Sequence, residues 1–199
     1  DRPSFTQLQA TSNAISWHRS DIEQRLFFAG DRFTRVNSVL SFLLAVVLTG
    51  CFYVCVLPFP ALWLNNKFIG QGPIPYAIAF FTAWCLAILF IKWRKLEMQK
   101  KCLEMRIVPD DPEFVLSPGN VDEVLERIQT LVDDPRQFVL FNRISIALSN
   151  LRNMGRVSDV DEILRTQGEA DEAMSETSYV LLGGFLWAIP ILGFIGTVL

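Results

Sequence analysis

The sequence predicts an all-α, polytopic membrane protein with three visible transmembrane helices and a helical cytoplasmic insert. Three features lead there. Uncharged apolar runs fill 36–57, 74–91 and 179–199, and about 20 such residues in a helix cross a bilayer. Basic residues crowd the flanks of the first two runs and not the stretch between them. Between the second and third runs, apolar residues recur at helical spacing, with no strand-like alternation and no Asn-Gly hairpin turn. The 51% hydrophobic and 12% aromatic content agrees with a membrane protein that carries a substantial polar part.

Residues 1–35 are polar and mixed in charge, and they lack the basic, apolar and cleavage-site order of a signal peptide. Ser20-Asp21-Ile22-Glu23 predicts the capped start of a short helix there. The first span, 36–57, is ended by Pro58 and Pro60, which cannot continue a helix. The connector, 58–73, carries Gly70, Gly72, Pro73 and a single charge, Lys67. The second span, 74–91, has Tyr76 near one end and Trp93 just past the other, as interfacial aromatics do. Six basic residues follow it, Lys92, Arg94, Lys95, Lys100, Lys101 and Arg106, against Glu97 and Glu104. Arg19, Arg25, Arg32 and Arg35 precede the first span. By the positive-inside rule the N-terminus is cytoplasmic and the connector periplasmic. The basic run is expected to rest on anionic lipid headgroups.

The cytoplasmic region, 92–178, begins its soluble part with a Pro- and Asp-rich loop at 107–120. Asn120 with Glu123 reads as a capping box for a helix whose apolar face is Val121, Val124, Leu125, Ile128 and Leu131. Pro135 is expected in the first turn of the next helix, which runs to Met154 with Gly155 as its C-cap. A third helix starts at Ser158. Because Gly168 is the strongest turn signal after it, Asp159–Leu199 reads as one rod entering the membrane.

Catalytic patterns are missing from the sequence: there is no His/Cys/Asp cluster, no GxxxxGK[ST] and no GxSxG. Cys51, Cys55, Cys85 and Cys102 have no metal-ligand spacing, and His18 is the one histidine. The acid pairs Asp110-Asp111, Asp133-Asp134 and Asp161-Glu162 fall in loops or first helical turns, where solvation and the helix dipole account for them. The basic run lacks aromatics interleaved for nucleic acid. No enzyme activity, cofactor, metal or nucleic-acid partner is expected.

The last span carries Pro190, Gly193, Gly196 and Thr197 within two turns, which a plain anchor does not need. Proline frees a backbone carbonyl, and glycines at i, i+3 let another backbone approach. AIPILGFIGTVL, residues 188–199, resembles the pore-helix signature of the MotA/TolQ/ExbB channel proteins. There a proline and then G-x-x-G-T-V sit on a helix lining an ion path. The resemblance implies that Thr197, Pro190, Gly193 and Gly196 line such a path. It also implies a ring of five subunits around a single-span partner of the ExbD, TolR or MotB type, which brings an intramembrane aspartate. That fits the absence of any charged side chain in the three spans, since a proton relay needs one. The implied function is an ion-channel subunit of a proton-motive-force-driven motor in the bacterial inner membrane, energising biopolymer or nutrient transport.

Two spans before the insert are like the flagellar branch of that family, whereas the pore-helix wording is like the biopolymer-transport branch. Flagellar-type rotation and an anti-phage defence motor remain open as outputs. A reading from another class is a membrane scaffold or sensor that conducts nothing. The chain begins at Asp1 and stops within an apolar helix, so it reads as a fragment, with a fourth span expected beyond it. Pro190 is expected to bend the last helix near Leu186 and to turn the Pro190–Gly193–Thr197 face inward. Phe185, Ile189, Leu192 and Phe194 would then meet lipid or neighbouring subunits. Four glycines in this span, Gly183, Gly184, Gly193 and Gly196, need a packing partner. Intact-mass measurement of the detergent complex is therefore expected to give an oligomer, and a pure monomer would count against that.

Overall fold

The computed structural model describes residues 21–26, 33–58, 68, 72–105, 107, 119–154 and 157–198. His18, Arg19, Ser20, Arg32, Arg106, most of the connector, most of the Pro- and Asp-rich loop and the expected Gly155 cap lie outside them. The described residues are helical, without a β-strand, and three helices are long and apolar enough to cross a membrane. Two compact units divide the chain: Phe28–Arg94 with Ala173–Leu199, and Asp1–Phe27 with Lys95–Glu172. Helix α1 is Ile22–Arg25, α2 Ser38–Val56 and α3 Ile74–Leu103; α4 is Val121–Leu131, α5 Val139–Met154, α6 Val157–Thr177 and α7 Val180–Val198.

The first of these units holds the apolar spans. Helix α2 starts at Asn37, whose side-chain oxygen accepts from the N–H groups of Val39 (2.9 Å) and Leu40 (3.4 Å), satisfying two of the orphan donors at the helix start. Helix α3 does not stop at the end of the expected span but continues to Leu103, 30 residues in all. Its basic extension is rich in Lys, Leu, Glu, Met and Gln, all good helix formers. Trp84 is the hub of the unit's aromatic packing, with Phe42 at 5.2 Å and Phe185 at 5.0 Å between centroids. Its indole N–H donates to Ser41 Oγ at 3.0 Å, and that hydroxyl donates to the Ser38 carbonyl, so two polar groups in apolar surroundings are satisfied together.

The expected single rod is divided, and not at Gly168, which lies inside an uninterrupted α6. The division falls at Ser178 and Tyr179. The Ser178 N–H is shared between the carbonyls of Met174 and Ser175, and the Tyr179 N–H goes to Glu176, three residues back. This tightening to a 3₁₀-type turn accompanies a side-chain bond from Ser178 Oγ to the Ser175 carbonyl at 2.6 Å.

The other unit is a helical bundle around its own buried cluster. Val121, Val124 and Ile128 of α4 are buried with Phe138, Phe141 and Leu148, and with Met98 and Cys102 on the extension of α3. Asn120 makes no side-chain cap hydrogen bond, so the expected capping box does not form. Its φ of −110° and ψ of 8° are not the extended backbone that a capping side chain needs. Pro135 opens its own 3₁₀ turn, Pro135–Gln137, capped by Asp134, whose Oδ1 accepts from the Arg136 N–H. Extended backbone at Phe138 then separates that turn from α5. Gln99 of α3 pins this junction, donating to the Gln137 carbonyl at 2.9 Å and accepting from the Val139 N–H at 3.1 Å. Arg143 of α5 pairs with Asp171 of α6 at 2.9 Å.

Cys102 is fully buried in this core, and burial pushes its thiol up to about 11. A protonated, enclosed thiol is a poor nucleophile at neutral pH. Iodoacetamide is therefore expected to leave Cys102 unmodified in the folded protein. Phe141→Ala, which removes a fully buried ring at a cost of about 3–5 kcal/mol, should make Cys102 reactive.

Candidate functional site

Helix α7 carries the residues singled out in the last span, and its packing sorts them onto two faces. Leu182, Phe185 and Ile189, spaced i, i+3, i+7, form one stripe of a helix. That stripe packs on Ile88, Phe81, Trp84 and Cys85 of α3 and on Val36. Phe185 is 7% exposed, with the Phe81 ring 5.2 Å away. Phe185, expected from the sequence to meet lipid or a neighbouring subunit, is thus covered by the chain itself, and Ile189 is covered in part. Bulky aromatics at the right spacing on α3 offer them a closer apolar partner. Phe194, 70% exposed, does lie on an open surface.

Gly196 belongs with the packed stripe. A Cβ there would sit 3.0 Å from Cγ2 of Ile74, tighter than ordinary van der Waals contact. Gly196 thus has a packing role within the chain: it lets the end of α7 approach the start of α3. Gly193 is different, with nothing within 4 Å of the position of a Cβ. Pro190 and Thr197 are exposed within the chain, on the flank of α7 away from the Phe185 stripe. The helix continues through Pro190, which has no N–H to give the Leu186 carbonyl. Thr197 Oγ1 donates to the carbonyl of Phe194, three residues back, at 2.7 Å, rather than to Gly193. Its proton is committed, while its oxygen lone pairs remain able to accept one hydrogen bond or two.

The basic residues after the second span also divide. Arg94, Lys100 and Lys101 are exposed, as headgroup contact requires. Lys92 and Lys95 are not, at 5% and 1% exposed, and for these two the expectation of lipid contact is corrected. Lys92 Nζ donates to Ser178 Oγ at 2.6 Å and to the Thr34 carbonyl at 3.5 Å, and it lies 4.0 Å over the Tyr179 ring. A hydroxyl, a carbonyl and a π face thus surround a three-donor ammonium beside the turn that separates α6 from α7. In the other unit, Lys95 Nζ is 2.6 Å from Oε2 of Glu23, which is itself fully buried. Ser178, Tyr179, Thr34 and Glu23 were not singled out as partners from the sequence. Only Glu23, a carboxylate in an otherwise mixed segment, carried a signal for such pairing.

Among the described residues no group of three metal-ligating side chains is drawn together. Compared with family models, with curated proteins and with solved structures, the chain matches none.

The two glycines of α7 separate contacts within the chain from contacts outside it. Gly196→Leu should disturb the α3–α7 packing and lower thermal stability, by about 1–3 kcal/mol for overpacking. Gly193→Ala should leave the folding of the chain intact, because the space is open. Loss of assembly in Gly193→Ala would place another helix against that face.

Proposed function

We propose that the chain is an ion-channel subunit of a proton-motive-force-driven motor complex in a bacterial inner membrane. One observation carries most of the weight. The chain covers the Phe185 side of α7 itself and leaves uncovered the flank bearing Pro190, Gly193 and Thr197. That flank combines a freed carbonyl, a small residue and a hydroxyl, a polar spot with little reason to exist in lipid. It fits a helix whose second face meets other protein or a water-filled path. The resemblance of residues 188–199 to the MotA/TolQ/ExbB pore helix supports the same reading. The N-terminus is then cytoplasmic, five copies form a ring, and a single-span partner supplies the aspartate that these spans lack.

In this scheme Thr197 is a pore hydroxyl beside the partner's carboxyl. Because its proton is directed to Phe194, it serves as an acceptor for the protonated acid, and a rotation about χ1 would release it to donate to the carboxylate. Protons entering down the membrane potential carry about 2.3 kcal/mol per charge per 100 mV, and this would drive movement of the ring against its partner. The work would be biopolymer or nutrient transport, with flagellar-type rotation and anti-phage defence as alternative outputs within the same architecture. The non-conducting scaffold has one observation in its favour: the Thr197 hydroxyl already has a partner in its own helix.

Thr197→Val keeps the shape and removes the hydroxyl. A hydrogen bond to a charged group contributes about 1.5–3 kcal/mol, so proton uptake by vesicles holding the intact assembly should fall roughly tenfold to a hundredfold. Assembly should be unaffected. Undiminished uptake in Thr197→Val would favour the scaffold.

A further inference from the structure

The ion pair between Glu23 and Lys95 joins two parts of the sequence with no obvious reason to meet. Lys95 sits in the basic run that follows the second span, four residues beyond Ile91 on one continuous helix. That is about 6 Å of helical rise, which is headgroup depth. Its neighbours Arg94, Lys100 and Lys101 are exposed. Yet the Lys95 ammonium is enclosed, and its anion is a carboxylate of the polar segment preceding the first span, 2.6 Å away and fully buried. Asp21 steadies that carboxylate's backbone, its Oδ1 accepting from the Glu23 N–H at 3.3 Å, and is itself 2% exposed. Helix α1 is four residues long, far too short to persist without tertiary contacts.

One ammonium therefore has two candidate anions of equivalent chemistry, the chain's own carboxylate and the phosphodiester of an anionic lipid. We propose that residues 21–26 form a strap whose Glu23 competes with anionic headgroups of the cytoplasmic leaflet for Lys95. The strap is seated where that leaflet is neutral. It is released where the leaflet is anionic, because Lys95 then exchanges the Glu23 carboxylate for a phosphodiester and is not left stranded, while Glu23 passes into water. Negative surface potential adds to the drive, since it attracts Arg94, Lys100 and Lys101 as well and repels Asp21 and Glu23 of the strap, two carboxylates against the single attracted Arg25. The exchange is a polybasic electrostatic switch in which the competing anion belongs to the protein.

Hydrogen exchange of the backbone amides of residues 21–26 tests this on the full chain in nanodiscs. Phosphatidylcholine discs should protect these amides, and discs rich in phosphatidylglycerol should speed their exchange at least tenfold. Glu23→Gln should exchange fast in both, with α3 amides still protected as proof of folding. Inorganic phosphate added to phosphatidylcholine discs should release nothing, because a soluble anion lacks the leaflet's surface potential. Equal protection of the wild-type strap in both lipids would overturn the proposal, as would release by free phosphate or absence of protection in phosphatidylcholine. If Glu23→Gln fails to fold, the wild-type comparison between lipids decides alone.

Discussion

The seating of Phe185 between α7 and α3 is the interaction on which the membrane part depends. Association of helices in lipid gains little from the hydrophobic effect and rests on close packing. Here Phe185 meets Phe81 and Trp84, and at the far end Gly196 admits Ile74. Once that stripe of α7 is fixed, helical geometry decides where every other residue of the helix points. Pro190 and Thr197 are turned away from α3 as a consequence, and the polar features of the helix gather where the chain offers them nothing. Only 22%, 17% and 11% of the three apolar windows is buried inside the chain. The described residues thus leave most of each window uncovered.

A second constraint acts where apolar and polar parts meet. Two lysines that sequence logic assigns to headgroups are enclosed, each by a different device. Lys92 meets Ser178, the Thr34 carbonyl and the Tyr179 ring. Lys95 is held by a carboxylate. Burying an ammonium is costly unless its donors are satisfied, so each lysine organises the chain around it. The turn at Ser178 and Tyr179 is one result, since the hydroxyl that accepts a hydrogen bond from Lys92 also donates to the Ser175 carbonyl.

The spans were legible because length and lack of charge suffice to identify them. Asn37 to Val56 and Ile74 onward fall where the apolar runs place them. Amphipathic spacing likewise located α4, whose Val121, Val124 and Ile128 are the buried positions. Features set by tertiary contact were less accessible. The extension of α3 to Leu103 is fixed by burying Met98 and Cys102 in the insert's core, and the break after α6 involves a lysine some 86 positions away. On α7 the residue types were informative but their faces were not. Gly193 and Gly196 look alike in a motif, and only the position of Ile74 separates them.

In the proposed channel the uncovered flank of α7 borders water inside the membrane. Single cysteines at 185, 189, 190, 193 and 197, in a protein with Cys51, Cys55, Cys85 and Cys102 replaced, can be treated with a membrane-impermeant, water-requiring thiol reagent in the assembled complex. Modification at 190, 193 and 197 with silence at 185 and 189 is the expected result. Silence at 197, or modification confined to 185 and 189, would contradict it.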